Sequence, residues 1–388
     1  SEDDITGNIG LEEQKVVEVG GLFATTSGQT MSSSRLLNRS GAGMSEEYVD
    51  WLNGLRKDVN ERDVLDLLER IRNLSVVVIG EAIIDEYIFC EALGKASKEP
   101  LLAFLKGSSE SIVGGSVAVA KHVAGLGATT TLITRLGRDA HATQVREACV
   151  EAGINLIFQE SSRQPTIVKT RFVDEHTSSK VFETYEMNDE LPSNAEDESL
   201  EGKVTEGVSS ADIVLVADYG HGLLTPRVIS ALHRAPGIVA VNTQSNAGNR
   251  GLNSISRYDR VDIVSLNGSE LGLEIRQQHL EIDDWLPIVG DRTGAEWVVV
   301  TQGARGMSIW NQLSGVERAP AMTSLVKDRL GAGDALFVAT SLLIGAGSNG
   351  KVAALIGNIA GAAAISELGN RVSLDALNMK RHVSSMLK

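Results

Sequence analysis

From Ser75 onward, short and wholly apolar runs alternate with helix-compatible stretches, and few folds accommodate that pattern. Ser75-Val-Val-Val-Ile-Gly80 is the first such run. A strand that is apolar at every position, rather than at every second one, is covered on both faces, as in parallel sheets flanked by helices. Thr129–Arg135, Asp212–Ala217, Gly237–Asn242, Asp262–Leu266, Trp297–Thr301 and Gly306–Trp310 read as further strands. Val113–Leu126, which opens at a double glycine, and Ala140–Ala152 read as helices between them. The expected fold class is α/β: a doubly wound, mostly parallel sheet with helices on both faces. Ligands of such sheets gather at the carboxyl ends of the strands. Two stretches break the rule. Thr166-Ile-Val-Lys-Thr-Arg-Phe-Val and Lys180-Val-Phe-Glu-Thr-Tyr-Glu alternate like half-exposed strands. Strands within 86–112 and 164–187 are therefore expected to form a small β-sheet lid beside the main sheet. Lids of this kind exclude water from a reactive site and often carry a subunit contact.

The chain before residue 74 has another texture. Residues 1–45 are rich in Ser, Gly, Thr and Glu and read as irregular, apart from Met31–Arg39, which looks like a short capped helix. Residues 46–73 read as an amphipathic helical linker, in one piece or two, with Tyr48, Trp51, Leu52, Leu55, Val59, Val64, Leu65, Leu67, Leu68 and Ile71 as buried positions. It leads into a domain of residues 74–388. The chain carries 36 basic and 51 acidic residues, a net charge of -15, which argues against nucleic acid or an anionic membrane as the main partner. Cys90 and Cys149 are the only cysteines and have no metal-type spacing, so a reducing compartment is expected. No apolar run approaches the roughly 20 residues of a membrane span, and the acidic start is unlike a signal peptide. A cytoplasmic protein is the expectation.

Candidate chemistry sits at the strand ends. Asp328-Arg-Leu-Gly331-Ala332-Gly333-Asp334 feeds a long apolar stretch of helix formers. Backbone N–H groups and the positive end of a helix dipole make such a junction an anion site. A carboxylate beside it, Asp334, could accept a proton from an attacking hydroxyl; equally, it could be a first-turn helix cap. Asp85, after the first strand, could bind sugar hydroxyls or cap a turn. Gly114-Gly115 would allow close approach of substrate or of backbone. Asp218-Tyr-Gly-His-Gly222 suggests a turn facing a cleft. Asn267-Gly-Ser-Glu270 suits a water-mediated Mg²⁺ and phosphate site, or a capping box. Thr301-Gln-Gly303-Ala-Arg-Gly306 fits a nucleotide-binding hairpin or simply a tight turn. Lys169 and Arg171, on a predicted lid strand, could receive an anionic group or be solvated surface charges.

In their order along the chain, these motifs resemble those of the ribokinase/PfkB family of carbohydrate kinases, from about Ser75 to the C-terminus. Gly94-Lys95-Ala-Ser97-Lys-Glu99-Pro100, Pro165-Thr166-Ile-Val-Lys169-Thr-Arg171 and Asp218-Tyr219 are similar to segments of bacterial heptose-phosphate kinases, the kinase half of bifunctional kinase–nucleotidyltransferases. The resemblance implies a ribokinase-like fold and ATP-dependent phosphoryl transfer to a sugar or sugar phosphate, with Mg²⁺, and it leaves room for a monovalent cation. It makes Asp334 the base and the N–H groups of Gly331, Ala332 and Gly333 the anion hole. It gives Asn267 and Glu270 the metal and its waters. Asp85, Gly114, Gly115, Lys169, Arg171 and Asp218 would bind acceptor; Asn267, Thr301, Gly303, Gly306 and Asn358 would line the nucleotide cleft. A homodimer through the lid and a nucleotidyltransferase domain or partner follow from the same resemblance. Thr26–Asn38 looks like the last motif of a cytidylyltransferase-type domain, without that domain's His-x-Gly-His signature.

Two positions depart from the family pattern. Ala118 stands where an Asn sugar ligand is usual, and Asn242-Thr-Gln-Ser245 replaces an Asp-Pro-Lys element of the heptose-phosphate kinases. Changed hydrogen-bond partners change which acceptor is satisfied. The sequence therefore supports an active kinase of altered acceptor range, or a non-catalytic kinase-like subunit.

Overall fold

The computed structural model describes residues 44–188, 190–277, 281–322, 331–365 and 373–388. Thr26–Asn38 and Asp328 lie outside the described residues. Two helices, each capped by a side-chain oxygen, come first: Ser45 caps α1 (Glu46–Asp58) and Asn60 caps α2 (Glu61–Ile71). Then follow β1 (Ser75–Gly80), β2 (Ala82–Lys95), β3 (Leu102–Gly115), α3 (Ser116–Gly125), β4 (Thr129–Leu136), α4 (Ala140–Glu151) and β5 (Asn155–Glu160). After these come β6 (Ile167–Asp174), β7 (Lys180–Glu186), α5 (Asn194–Val208), β8 (Ile213–Asp218), α6 (Pro226–Leu232), β9 (Ile238–Thr243), β10 (Ile263–Asn267) and α7 (Gly268–Ile275). The chain continues through α8 (Ile282–Thr293), β11 (Trp297–Thr301), β12 (Met307–Asn311), β13 (Gly315–Ala319), α9 (Ala332–Gly345), α10 (Gly350–Ala364) and α11 (Ala376–Leu387).

Among the described residues the main sheet runs β13-β12-β11-β10-β9-β8-β1-β4-β5. Its pairings are parallel except for the hairpin strand β12, which is antiparallel to both β11 and β13. Successive residues of one strand serve opposite cores. Val76, Val78, Leu132, Leu215 and Val299 face α3, α9, α10 and α11. Val77, Ile79, Ile133, Val214 and Val298 face α5, α6 and α8. That two-sided burial is why the strands are apolar throughout. Strand β1 has β4 on one side and β8 on the other, so the order in which strands are added switches sides at β1, the place where such sheets bind ligands.

The second sheet has the order β3-β2-β6-β7 and forms the lid. The chain enters it at Glu81 and returns at Gly115, so these residues form its hinge. The hinge is tight. A Cβ on Gly80 would lie 2.2 Å from the Ala217 carbonyl oxygen, and one on Gly115, at φ +60°, would lie 2.5 Å from that of Glu81. Ser116 stitches the crossing, its N–H donating to the Glu81 carbonyl and its hydroxyl to that of Gly80.

Three sequence expectations change. Val113, Gly114 and Gly115 end strand β3 rather than opening the helix, which starts at Ser116. Asp85 lies within lid strand β2, not in a loop. Strands β5 and β13 also join the main sheet; β13, whose half-buried and exposed positions alternate up to buried Ala319, lacks the wholly apolar signature.

Residues 46–71 form two helices within the main core. Tyr48, Leu52, Leu55, Val64, Leu68 and Ile71 are buried there, with Trp51, Val59, Leu65 and Leu67 packed beside them. Arg56 Nε donates to the Met386 carbonyl of α11 at 2.6 Å, and Lys351 Nζ meets Asp58 at 2.7 Å. Leu52→Ala should therefore lower the stability of the whole domain by roughly 2–5 kcal/mol. Urea denaturation followed by circular dichroism should show one shifted transition; a separate early transition would mean that the two helices fold apart from the sheet.

Candidate functional site

A cavity of about 270 Å³ lies between lid and main sheet at the carboxyl ends of the strands. Its floor is the start of α9. Gly331 takes the left-handed conformation at φ +77°, and among the described residues no side chain caps the helix, so its first N–H groups are suited to a ligand. A Cβ on Gly333 would meet nothing within 4 Å, so the main chain there is open to close approach. Gly331, Gly333 and Asp334 line the cavity; Ala332, the first residue of the helix, does not.

Asp334 is 7% exposed. One oxygen accepts from Gln244 Nε2 at 2.9 Å and from the Tyr219 hydroxyl at 3.3 Å. Burial pushes its carboxyl up to about 7; the Tyr219 hydrogen bond opposes this, while the charges of Asp85 and Glu270 add to it. A carboxyl held near neutrality at the mouth of an anion site is suited to accept a proton.

Asn267 and Glu270 satisfy both readings of their spacing. They form a capping box: Asn267 Oδ1 accepts from the N–H groups of Ser269 and Glu270, and Glu270 Oε2 accepts from the Asn267 N–H at 2.7 Å. Both residues also line the cavity. The other Glu270 oxygen accepts from the Ser245 N–H at 3.1 Å, and burial raises the carboxyl to about 7.

The lid supplies the roof. Register puts Asp85 beside Lys169 and Tyr87 beside Arg171, with Tyr185 and Glu183 opposite them on β7. Alternation aims these side chains inward. Arg171 Nη1 lies 2.5 Å from Asp85, and Lys169 Nζ lies 3.2 Å from Glu183 and over the Tyr185 ring. Neither cation is a solvated surface charge. Burial, and then the neighbouring Arg171, lower the pKa of Lys169.

Other predicted residues sit elsewhere. Asp218 is a correction: it ends β8, but its carboxylate turns away from the cavity to the Tyr258 hydroxyl at 2.7 Å, Arg257 at 3.3 Å and the Gly220 N–H. Burial and the charge of Glu81 raise it to about 6. Gly115 lines the cavity, whereas Gly114 is paired to Ile83 within the lid. Thr301 lines it too, while Gly303 and Gly306 shape the hairpin beyond. Gly306, at φ +91°, abuts the Ala319 carbonyl so closely that a Cβ would lie 2.0 Å away. Asn358 is buried in α10, outside the cavity lining, with its Nδ2 unpartnered among the described residues. Ala118 is buried in α3, also away from the lining.

Sequence reasoning missed Tyr219 and Gln244, which line the cavity, and Glu81, which accepts the Tyr219 N–H behind it. Glu81 is an acid next to a wholly apolar strand, which was a usable signal of a buried, satisfied carboxylate. Gln244 stood out as a departure, yet its contact with Asp334 spans 90 residues of sequence.

Residues 73–377 match the family model described as pfkB family carbohydrate kinase. The bifunctional protein HldE of Bradyrhizobium sp. (strain ORS 278) is 26% identical over 330 residues, which are 83% of this chain and 66% of that protein. This chain therefore spans slightly less than two thirds of that relative. Escherichia coli phosphofructokinase-2 in complex with potassium superposes with a TM-score of 0.65 at 18% identity, covering 80% of this chain and 99% of that one. Arabidopsis thaliana ribokinase, solved with ribose and ATP, gives 0.62 at 19% identity, with 81% and 99% covered. The doubly wound sheet with its lid is thus the ribokinase-like fold, and the chain belongs to the pfkB family of carbohydrate kinases.

Proposed function

We propose that this protein transfers the γ-phosphoryl group of ATP to a hydroxyl of a sugar or sugar phosphate held under the lid. The observation that carries this reading is Asp334, enclosed and near neutral pKa, at the uncapped start of α9. An acceptor hydroxyl between Asp334 and the open N–H groups would be aligned for in-line attack. The ionised carboxylate takes its proton as the new P–O bond forms and the bond from the γ-phosphorus to the bridging oxygen breaks, ADP leaving with that oxygen, while the N–H groups hold the transferring phosphoryl oxygens. The roof orients the acceptor through Asp85, Lys169 and Arg171, and the closed lid keeps water out.

The residues present suit Mg²⁺ held indirectly. Among the described residues no cluster of three metal-ligating side chains is found. Glu270 and Asn267 offer hard oxygen ligands beside the anion site, the arrangement expected of a Mg²⁺ that keeps several waters and leans on phosphate oxygens. When bound, it supplies charge neutralisation on the nucleotide phosphates. Glu270 and Asn267 would hold its waters.

For oligomeric state, the lid's outer groove, lined by Ile88, Phe104 and Phe172 with Phe182 exposed beside them, is the surface we propose pairs with a second copy.

Asp334→Asn should lower kcat by roughly 10²–10⁴-fold in an ATP-turnover assay over a panel of sugars and sugar phosphates. Wild-type kcat/KM should rise from pH 6 to pH 8, because only the ionised carboxyl accepts a proton. No wild-type turnover with any acceptor would instead favour a non-catalytic kinase-like subunit. The same variant should be the more stable protein when ligand-free. A folded-state pKa raised from 3.8 to about 7 means that stability is lost as pH rises through 7. That loss runs from about pH 4 to about pH 7 and Asn removes it, so its Tm advantage over wild type should be clearly larger at pH 8 than at pH 5 and level off above about pH 7. An equal Tm difference at both pH values would show that Asp334 does not titrate there.

Lys169→Met should raise KM for phosphorylated acceptors by roughly 10- to 100-fold and leave unphosphorylated ones little changed. Equal losses on both would remove Lys169 from anion recognition. Phe182→Glu should convert a dimer to a monomer in sedimentation velocity; an unchanged sedimentation coefficient would refute pairing through the lid.

A further inference from the structure

One buried acid is unused by this account. Glu81 is 3% exposed and lies at the crossing from main sheet to lid, between the last residue of β1 and the first of β2. Its carboxylate touches neither the cavity nor a salt-bridge partner within 4 Å among the described residues. It accepts three backbone N–H groups from one turn: Tyr219 at 3.1 Å on Oε2, and His221 at 3.0 Å and Leu223 at 3.3 Å on Oε1. The far side of the turn is held as well. Asn246 and Asn249 donate to the Tyr219 carbonyl, and Arg135 donates to that of Gly222. The Tyr219 backbone is thus gripped on both sides while its hydroxyl projects to Asp334.

We infer that Glu81 is a positioning residue for phosphoryl transfer: its carboxylate fastens the Tyr219–Leu223 turn to the lid hinge and so holds the Tyr219 hydroxyl on Asp334. A carboxylate suits this task because it only accepts; it can meet several N–H donors at once without presenting a donor of its own. The glutamine isostere turns an NH₂ toward one of those N–H groups and leaves a buried donor unmatched. The turn then loosens, and with it a hydrogen bond that favours ionised Asp334. The other groups facing Asp334 are Gln244, which also donates to it, and the carboxylates of Asp85 and Glu270; the substitution touches none of them.

The inference rests on Asp334 being the base, and its test reads ionisation without needing turnover. The readout is the folded-state titration midpoint of Asp334, taken as the pH above which the Tm advantage of Asp334→Asn over its parent stops growing, measured in the wild-type, Glu81→Gln and Tyr219→Phe backgrounds. Both backgrounds should move this midpoint upward by about half a unit to one unit. The Glu81→Gln/Tyr219→Phe double background should move it no further than Tyr219→Phe alone. An unmoved midpoint in a folded Glu81→Gln protein, or additive shifts in the double background, would overturn the inference and leave Glu81 a structural residue. Should Glu81→Gln fail to fold, Tyr219→Phe decides: it keeps every bond Glu81 makes, and an unmoved midpoint there breaks the link. Failure of the kinase reading looks different. It appears as wild-type protein without turnover, whatever the midpoints do.

Discussion

The carboxyl of Asp334 is enclosed in protein within reach of two other carboxylates, Asp85 and Glu270, and much of this structure answers that crowding. Each acid is kept by a different device. Asp85 is paired with Arg171 from the neighbouring lid strand. Glu270 is held by main-chain N–H groups from two loops. Among the described residues the Asp334 carboxyl accepts from a hydroxyl and an amide and meets no cation or main-chain N–H, so of the three it is the one left most open to accept a proton. Burial that would merely be costly elsewhere becomes the means by which a carboxylate is tuned toward neutral pH.

Much of the fold was legible because its cause is local. Strands covered on both faces must be apolar throughout, and β1, β8, β9, β10 and β11 announced themselves in that way. The lid was legible for the opposite reason: β6 and β7 alternate because one face meets the cleft and the other does not. The double glycine misled because Gly-Gly before an alanine-rich run looks the same whether it opens a helix or ends a strand. Only pairing with Ile83 and Ala82 decides, and those partners are some 30 residues away.

The site was legible by position and not by orientation. Asp334, Glu270, Asn267, Thr301 and the lid cations all reach one cavity, whereas Asp218, at an equally suitable strand end, turns its side chain to Tyr258 and Arg257. Nothing within a few residues of Asp218 could have indicated this. Glu81 is the converse case. Its partners lie 138 to 142 residues away, so its role exists only once β1 and β8 are side by side.

The packing of α1 and α2 against α11 has a consequence for how the chain is made. Arg56 and its partner Met386 are separated by 330 residues, and the apolar stripe of Tyr48, Leu52 and Leu55, with the Tyr48 hydroxyl on the Met386 sulfur, completes its cover on that side when α11 has left the ribosome. Until then a nascent chain carries that stripe incompletely covered, a surface of the kind chaperones and proteases bind. Helix α11 thus acts as a completion mark for this domain: a domain still lacking it keeps an apolar handle, and its arrival conceals that handle.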